Sequence, residues 1–429
     1  VEIDVNGGSN YVHVGTSQMM SVPYALYAEN VHNLNMDSIL GAVYDSINAS
    51  ASSGSTSNPS IGVGSITDLN DFDKEYDMFD AQFSGGFDNN SYDPIDIHTD
   101  QLKNIYIIGQ YNPGDNCSIG GISLFSGSGS TFFIAKYDST GVIISVISEP
   151  VVTSGNPDGY YLESSIVDNF GNIFVGGRMR NSLGKDDAFI RKYSTTNLTF
   201  LDEEICSSNP GYYDNQVYDI VSDGAGGVYL AGSYKTNITI GGIYLAADNT
   251  NSEQGFVFHW NSSGNVVWAN SIGDLNESNL HDYASSIIVD QNNDILVAGN
   301  LRVNIAGGSQ RSKHFIKRYD AGGMLMTTVE STEFSSNWYE TWGVKINTDN
   351  NGNIYLFTAC DDLLSNNYAF NSFPLDPILS TSHILYKMDI NFSVLNAINF
   401  GTKERYARQI ITLSNNDVIL RSKAHNPQY

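Results

Sequence analysis

The sequence predicts an all-β fold: a β-propeller of six to seven four-stranded blades, preceded by a small β segment and a short helical stem. Short apolar runs bounded by Asp, Asn or Gly recur through the second half and beyond, and runs of that length and chemistry read as strands joined by turns. Four runs make one unit, clearest at 283–290, 294–300, 314–320 and 324–331. The unit then repeats. Its second strand recurs at 104–109, 172–177, 227–232, 294–299, 353–358 and 417–420, and its third at 132–138, 188–193, 255–260, 314–319 and 383–389. Each third strand carries Phe, Ile or Val on one face and, in all but the copy at 255–260, which has His259, a Lys or Arg on the other. Sheets with two apolar faces must stack, and four-stranded units stacked radially make a propeller. An open stack is the alternative, and ring closure has the advantage of removing exposed edges.

The chain has 429 residues, 47 acidic against 21 basic, for a net charge of -26. Such a surface repels phosphate backbones and anionic headgroups, so the sequence predicts neither nucleic-acid binding nor direct membrane insertion. No run of eighteen apolar residues suggests a membrane-spanning helix. Aromatic content is 12%, with 26 Tyr, which suits many short strands. Cys117, Cys206 and Cys360 fall in different repeats with no paired spacing, so a zinc site is not expected and the odd count leaves a free thiol.

Taken in order, residues 1–23 read as the end of a small β domain. Val1, Ile3 and Val5 alternate with polar residues, Gly7-Gly8 follows, and Tyr11-Val-His-Val14 resumes the pattern. A chain opening on a strand in progress suggests a processed or partial sequence. Residues 24–48 place Met36, Leu40, Val43 and Ile47 at helical spacing. The expectation is a stem that joins sister subunits; a lone helix packed on the propeller is the plainer alternative. Residues 49–70, rich in Ser and Gly, read as a linker, and 71–429 as the propeller. Phe79-Asp-Ala-Gln-Phe-Ser-Gly-Gly86 lines up with Trp268-Ala-Asn-Ser-Ile-Gly273 as an orphan fourth strand. The last copy, from Tyr406, has two strands and lacks its third, and 79–86 can supply its fourth and close the ring. Six blades follow if the missing part is short, seven if a further repeat lies beyond Tyr429.

Two stretches resemble known families. Gly15-Thr-Ser-Gln-Met-Met-Ser-Val-Pro-Tyr-Ala-Leu-Tyr-Ala28 is similar to a motif of large secreted bacterial surface and fibre proteins, many exported by the type IX route. The resemblance implies a β domain leading into a stalk. Asp168-Asn-Phe-Gly-Asn-Ile-Phe-Val-Gly-Gly177 and Asp349-Asn-Asn-Gly-Asn-Ile-Tyr355 resemble the bacterial seven-bladed propeller repeat over about 77–429. This implies a fold, and no shared catalytic residues.

The sequence holds no nucleophile elbow, and its eight His have no metal-ligand spacing. His259, His314 and His383 recur in third strands, which argues for packing. Asp349-Asn-Asn-Gly352 and Asp223-Gly-Ala-Gly226 could hold calcium, but turn chemistry explains them and no cofactor is expected. Tyr92, Tyr161, Tyr218, Tyr283, Trp342 and Tyr406 recur just before the first strands, again as packing positions. The cluster Trp338, Tyr339 and Trp342 does not repeat, and is the candidate ligand-binding site. Connections at 112–131, 235–254 and 361–382 contain Ile122-Ser-Leu124, Ile243-Tyr-Leu245 and Phe373-Pro-Leu375, and are expected to form extra hairpins. The leading expectation is a secreted, non-enzymatic module for adhesion to cell-surface proteins or glycans. A filament subunit and a propeller glycosidase or lyase are the alternatives.

Overall fold

A computed structural model of the chain describes residues 2–3, 12–13, 92–111, 118–124, 130–149, 159–180, 184–208, 215–247, 252–273, 281–304, 310–334, 343–360, 369–374, 382–400, 406–413, 416 and 418–423. The chain divides into two compact units, Val1–Leu69 and Asn70–Tyr429. In the first, β1 (Glu2–Ile3) pairs antiparallel with β2 (Val12–His13), consistent with the hairpin read around Gly7-Gly8. The expected stem at 24–48 and linker at 49–70 lie outside the described residues.

The second unit is a series of antiparallel meanders. Sheet I holds β3 (Tyr92–Thr99) and β4 (Ile105–Tyr111); after the hairpin β5 (Ser118–Ile119) and β6 (Ile122–Ser123) it adds β7 (Thr131–Tyr137) and β8 (Ile143–Ser148). Sheet II is β9 (Tyr160–Val167), β10 (Asn172–Arg180), β11 (Asp186–Ser194) and β12 (Phe200–Ser208). Sheet III opens with β13 (Gln216–Ser222) and β14 (Val228–Tyr234). The hairpin β15 (Ile238–Ile240) and β16 (Ile243–Leu245) follows, then β17 (Gln254–Trp260) and β18 (Val266–Ile272). Sheet IV is β19 (Tyr283–Val289), β20 (Ile295–Asn304), β21 (Gln310–Tyr319) and β22 (Leu325–Glu330). Sheet V has β23 (Val344–Thr348) and β24 (Ile354–Cys360), the hairpin β25 (Ala369–Phe370) and β26 (Phe373–Pro374), then β27 (Ser382–Met388) and β28 (Val394–Asn399). Two strands, β29 (Tyr406–Thr412) and β30 (Val418–Lys423), form sheet VI. Among the described residues every regular element is a strand. The extra hairpins stand where Ile122-Ser-Leu124, Ile243-Tyr-Leu245 and Phe373-Pro-Leu375 led us to expect them.

The turns explain the Asp signature. Asp100, Asp168, Asp223, Asp290 and Asp349 each follow a first strand, and one carboxylate oxygen accepts the N–H groups two and four residues on. For Asp349 these are Asn351 and Asn353, both at 2.9 Å; for Asp168 they are Phe170 and Asn172 at 2.9 and 2.8 Å. Those oxygens satisfy backbone donors that a tight turn would otherwise leave bare.

Apolar faces stack between consecutive sheets. Phe132, Ile134, Phe189 and Val175 fill the space between sheets I and II, and Phe174, Leu230, Phe256 and Trp260 that between II and III. Phe315 lies fully buried between III and IV beside Trp268 and Val297. The third-strand cations join the stack rather than simply facing water. Lys136 Nζ donates to Thr195 O of the next sheet at 2.7 Å and lies over the Tyr106 ring at 5.6 Å. Lys192 Nζ reaches Gly226 O and Ser262 O of sheet III and lies over Phe174 at 5.4 Å. Arg318 donates to Ile390 O of sheet V. Each cation combines ring contact with a strap between sheets.

Candidate binding site on the inner strands

The first strands of successive sheets converge on one another, and side chains tie them together. Ser165 N and Oγ donate to Asp96 Oδ2 at 2.8 and 2.9 Å, joining β9 to β3. Ser164 Oγ donates to Asp219 Oδ1 at 3.2 Å, joining β9 to β13. Asp219 Oδ2 accepts from Ser286 Oγ and Ile287 N of β19 at 2.8 and 3.0 Å. Ile346 N of β23 donates to Ser286 Oγ at 3.3 Å, and Thr412 Oγ1 of β29 to Thr348 O at 2.7 Å. Each first strand is an edge, and the belt supplies partners to groups the ladder leaves open.

One register step above this belt, β3, β9, β13, β19 and β29 each contain a bulge, with Ile95, Glu163, Tyr218, Ser285 and Arg408 as the extra residues. Opposite β9, β13 and β19 a glycine of the second strand makes room for it, whereas Ser422 stands there opposite β29. A Cβ on Gly177 would lie 2.0 Å from Tyr161 O, on Gly232 2.1 Å from Gln216 O, and on Gly299 1.8 Å from Tyr283 O. Phe256 and Phe315 close the far side of Gly232 and Gly299. The strand β23 runs opposite Thr358 at this point, with no shift in its register. Bulges take a side chain out of the ladder and re-aim it. Here one backbone position is repeated in five sheets with a different residue in each.

Polar groups gather where the first strands of sheets II to IV begin. Glu253 accepts a hydrogen bond from His281 Nδ1 at 2.6 Å and another from the Tyr283 hydroxyl. Burial alone would raise the Glu253 pKa, but the bonds from His281 and Tyr283 outweigh it and hold the carboxyl below its usual range. The Tyr218 ring meets Tyr283 edge-on at 6.1 Å, and its hydroxyl lies 3.2 Å from Ser233 Oγ. Burial, with the Glu253 charge, pushes the Tyr218 phenol up. Arg178 covers the Tyr161 ring at 4.6 Å and joins Arg180 on Asp186, at 2.8 and 2.9 Å. The half-buried Tyr161 and Tyr218, the exposed Glu163 and the held Glu253 and Arg178 offer ring faces, acceptors and a cation together. Groups of this kind can contact a polar, hydroxyl-rich molecule by stacking and hydrogen bonds.

The aromatic cluster singled out in the sequence fares differently from the packing readings: Trp338, Tyr339 and Trp342 lie outside the described residues. His314 and His383 are buried, and His259 is bonded to Asp223 at 2.9 Å, as packing requires. Among the described residues no three His, Cys, Asp or Glu side chains are grouped to hold a metal, and no helix is long and apolar enough to cross a membrane. The recurrent aromatics need correcting. Among the described residues Tyr92, Tyr283 and Tyr406 begin their first strands and Tyr161 and Tyr218 stand inside theirs; Tyr218 is a bulge residue while Tyr161 and Tyr283 pair in the ladder opposite Arg178 and Asn300. One extra residue per strand makes aromatics that look equivalent in sequence inequivalent in space. The inner belt was missed; acids at Asp96 and Asp219 inside otherwise apolar first strands were its signal.

No protein-family model matches the chain, and no curated protein matches it. Among solved structures, a protein of unknown function from Dyadobacter fermentans is 14% identical with a TM-score of 0.39, over 63% of this chain and 77% of that one. The quinohemoprotein alcohol dehydrogenase of Comamonas testosteroni is 10% identical with a TM-score of 0.40, over 76% of this chain and 62% of that one. A member of the DUF4221 family from Bacteroides vulgatus is 12% identical with a TM-score of 0.32, over 81% and 95%. Likenesses with TM-scores this low carry no argument for this chain.

Proposed function

We propose that this chain is a non-enzymatic extracellular binding module: a closed propeller, carried on a surface or fibre protein, that recognises cell-surface glycans or proteins. The observation that carries the reading is the bulge position, where glycine and backbone hold a constant scaffold for the exposed Glu163 and the half-buried Tyr218. Variable side chains on a fixed backbone suit recognition. Asp96 and Asp219, two carboxylates of the inner strands, are committed to joining strands, which weighs against the glycosidase alternative. Closure is supported by apolar faces at both ends of the series. Sheet I turns Ile107, Phe133 and Ala135 away from sheet II, and sheet VI pairs Ile411 with Ile419 on the face opposite Ile410.

Glycan arrays and cell-binding assays test the reading. We expect binding that Tyr218→Ala and Glu163→Ala weaken about tenfold, as loss of a stacking or hydrogen-bonding contact does. Turnover of a polysaccharide, or no binding to any glycan, cell or sister copy, would sink it. The stem expected at 24–48 makes the full chain multimeric and residues 66–429 monomeric by light scattering. If both are multimers, the propeller makes the contacts and the filament reading replaces this one.

A further inference from the structure

We propose that the Arg178 side of the inner-strand site seats a carboxylate, so that the glycans recognised there are acidic ones built on uronic-type sugars. The proposal rests on the recognition reading above and names its ligand class. Its ground is an excess of cations over anions around one buried group. Asp186, the first residue of β11, has a fully buried side chain. Its Oδ2 accepts from Arg178 Nη1 at 2.8 Å and its Oδ1 from Arg180 Nε at 2.9 Å. Its carbonyl accepts Asn215 N at the start of sheet III at 3.0 Å. The residue is thus fixed to two sheets, and its carboxylate is shared by two guanidiniums. One cation is enough to pair a buried carboxylate, so two leave a positive charge over among these three groups. Both arginine side chains reach solvent, at 30% and 29% exposure.

Arg178 is the better placed of the two. It lies over the Tyr161 ring at 4.6 Å, which holds the direction of its planar fork. Asp186 takes Nη1, and the edge formed by Nε and Nη2 has no part in that bond. Nε is buried with no acceptor, and a donor left in that state is costly. A planar carboxylate matches such a fork with two parallel hydrogen bonds. The rest of the site is acidic. Glu163 stands exposed two residues beyond Tyr161 on β9, and Glu253 is held by His281 and Tyr283. Ionised carboxylates only accept hydrogen bonds, so these two need hydroxyl donors and repel a second carboxylate. Tyr218 stands in the field of both ends: burial and Glu253 raise its pKa, and Arg178 opposes them. A ligand that suits both ends carries a carboxylate and hydroxyls on one ring, as an acidic sugar does. The net charge of -26 opposes any anion at a distance, so the preference arises in contact with Arg178.

The test uses the full chain and fragments of polygalacturonate and alginate, each compared with the same fragment after its carboxyls are reduced to alcohols. The acid form should bind about tenfold more tightly, as a charge-assisted hydrogen bond gives. Arg178→Lys keeps the charge and removes the fork, and should bring the two forms to within about threefold of each other. The comparison on the unaltered chain decides the matter even where that variant folds poorly. Equal binding of the two forms overturns the proposal and leaves the recognition reading in place. A sulfated neutral fragment bound as tightly as the acid overturns the assignment to a carboxylate. Failure of every acid form overturns it too, while binding of neutral glycans, cells or a sister copy would keep the reading above.

Discussion

Along the inner strands, an edge N–H is met by one side chain from the neighbouring sheet: Asp96 takes that of Ser165, and Asp219 that of Ile287. Along the outer strands, an edge is met by an inserted segment, as where β15–β16 lies on β12. The inner solution is concentrated in single residues between converging strands. The outer one is spread over a hairpin, with side chains such as Glu204 only adding to it through Gly241 N at 2.7 Å. Point substitutions should therefore hurt the inner edge more than the outer.

The stacked faces between the two edges set the scale. Phe315→Ala should cost about 3–5 kcal/mol in denaturant unfolding, as truncation of a fully buried aromatic does. A loss under about 1 kcal/mol would mean that the face is not packed as described. At the inner edge, Asp219→Ala strips acceptors from Ser164, Ser286 and Ile287 together and should cost about 2–3 kcal/mol. At the outer edge, Glu204→Ala removes one acceptor from an exposed donor and should cost about 0.5–1 kcal/mol. Equal losses for Asp219→Ala and Glu204→Ala would erase the contrast between the edges.

A pH titration sharpens the same contrast on the buried side. Burial lowers the His314 pKa from 6.5 to about 3. The unfolded chain therefore binds this proton more readily than the folded one. The stability it contributes is fully present above pH 6.5 and is lost as pH falls toward 3, by up to about 1.4 kcal/mol per pH unit. His98, also held down by burial, acts in the same direction. His314→Gln should reduce the slope between pH 6 and 4 without abolishing it; an unchanged slope would show that His314 is not the group responsible.

Local features were legible and their destinations were not. The Asp-led turns and the three hairpins follow from short-range chemistry, which the sequence carries directly. That β15 pairs with the preceding sheet rather than its own depends on contacts far apart in sequence, and no local pattern encodes them. The glycine that recurs in the second strands of the first four sheets was visible, but its reason, a carbonyl of the first strand at Gly177, Gly232 and Gly299, was not. The bulge it permits also misled the aromatic count at Tyr218. Of the candidate site, the aromatics Tyr161, Tyr218 and Tyr283 were seen and read as packing. Glu163, Glu253 and Arg178 were missed, because nothing in the sequence distinguishes them among so many charged residues.

The bulge has a consequence for how such a surface can change. A carbonyl seated on glycine holds the kink, and neither atom belongs to the residue that protrudes. Selection on foldability and selection on ligand therefore act on different codons. The bulge residue is Glu163 in sheet II and Tyr218 in sheet III, while the facing Gly177 and Gly232 each sit against a first-strand carbonyl. A substitution there can change the exposed chemistry while the facing glycine and carbonyl stay as they are.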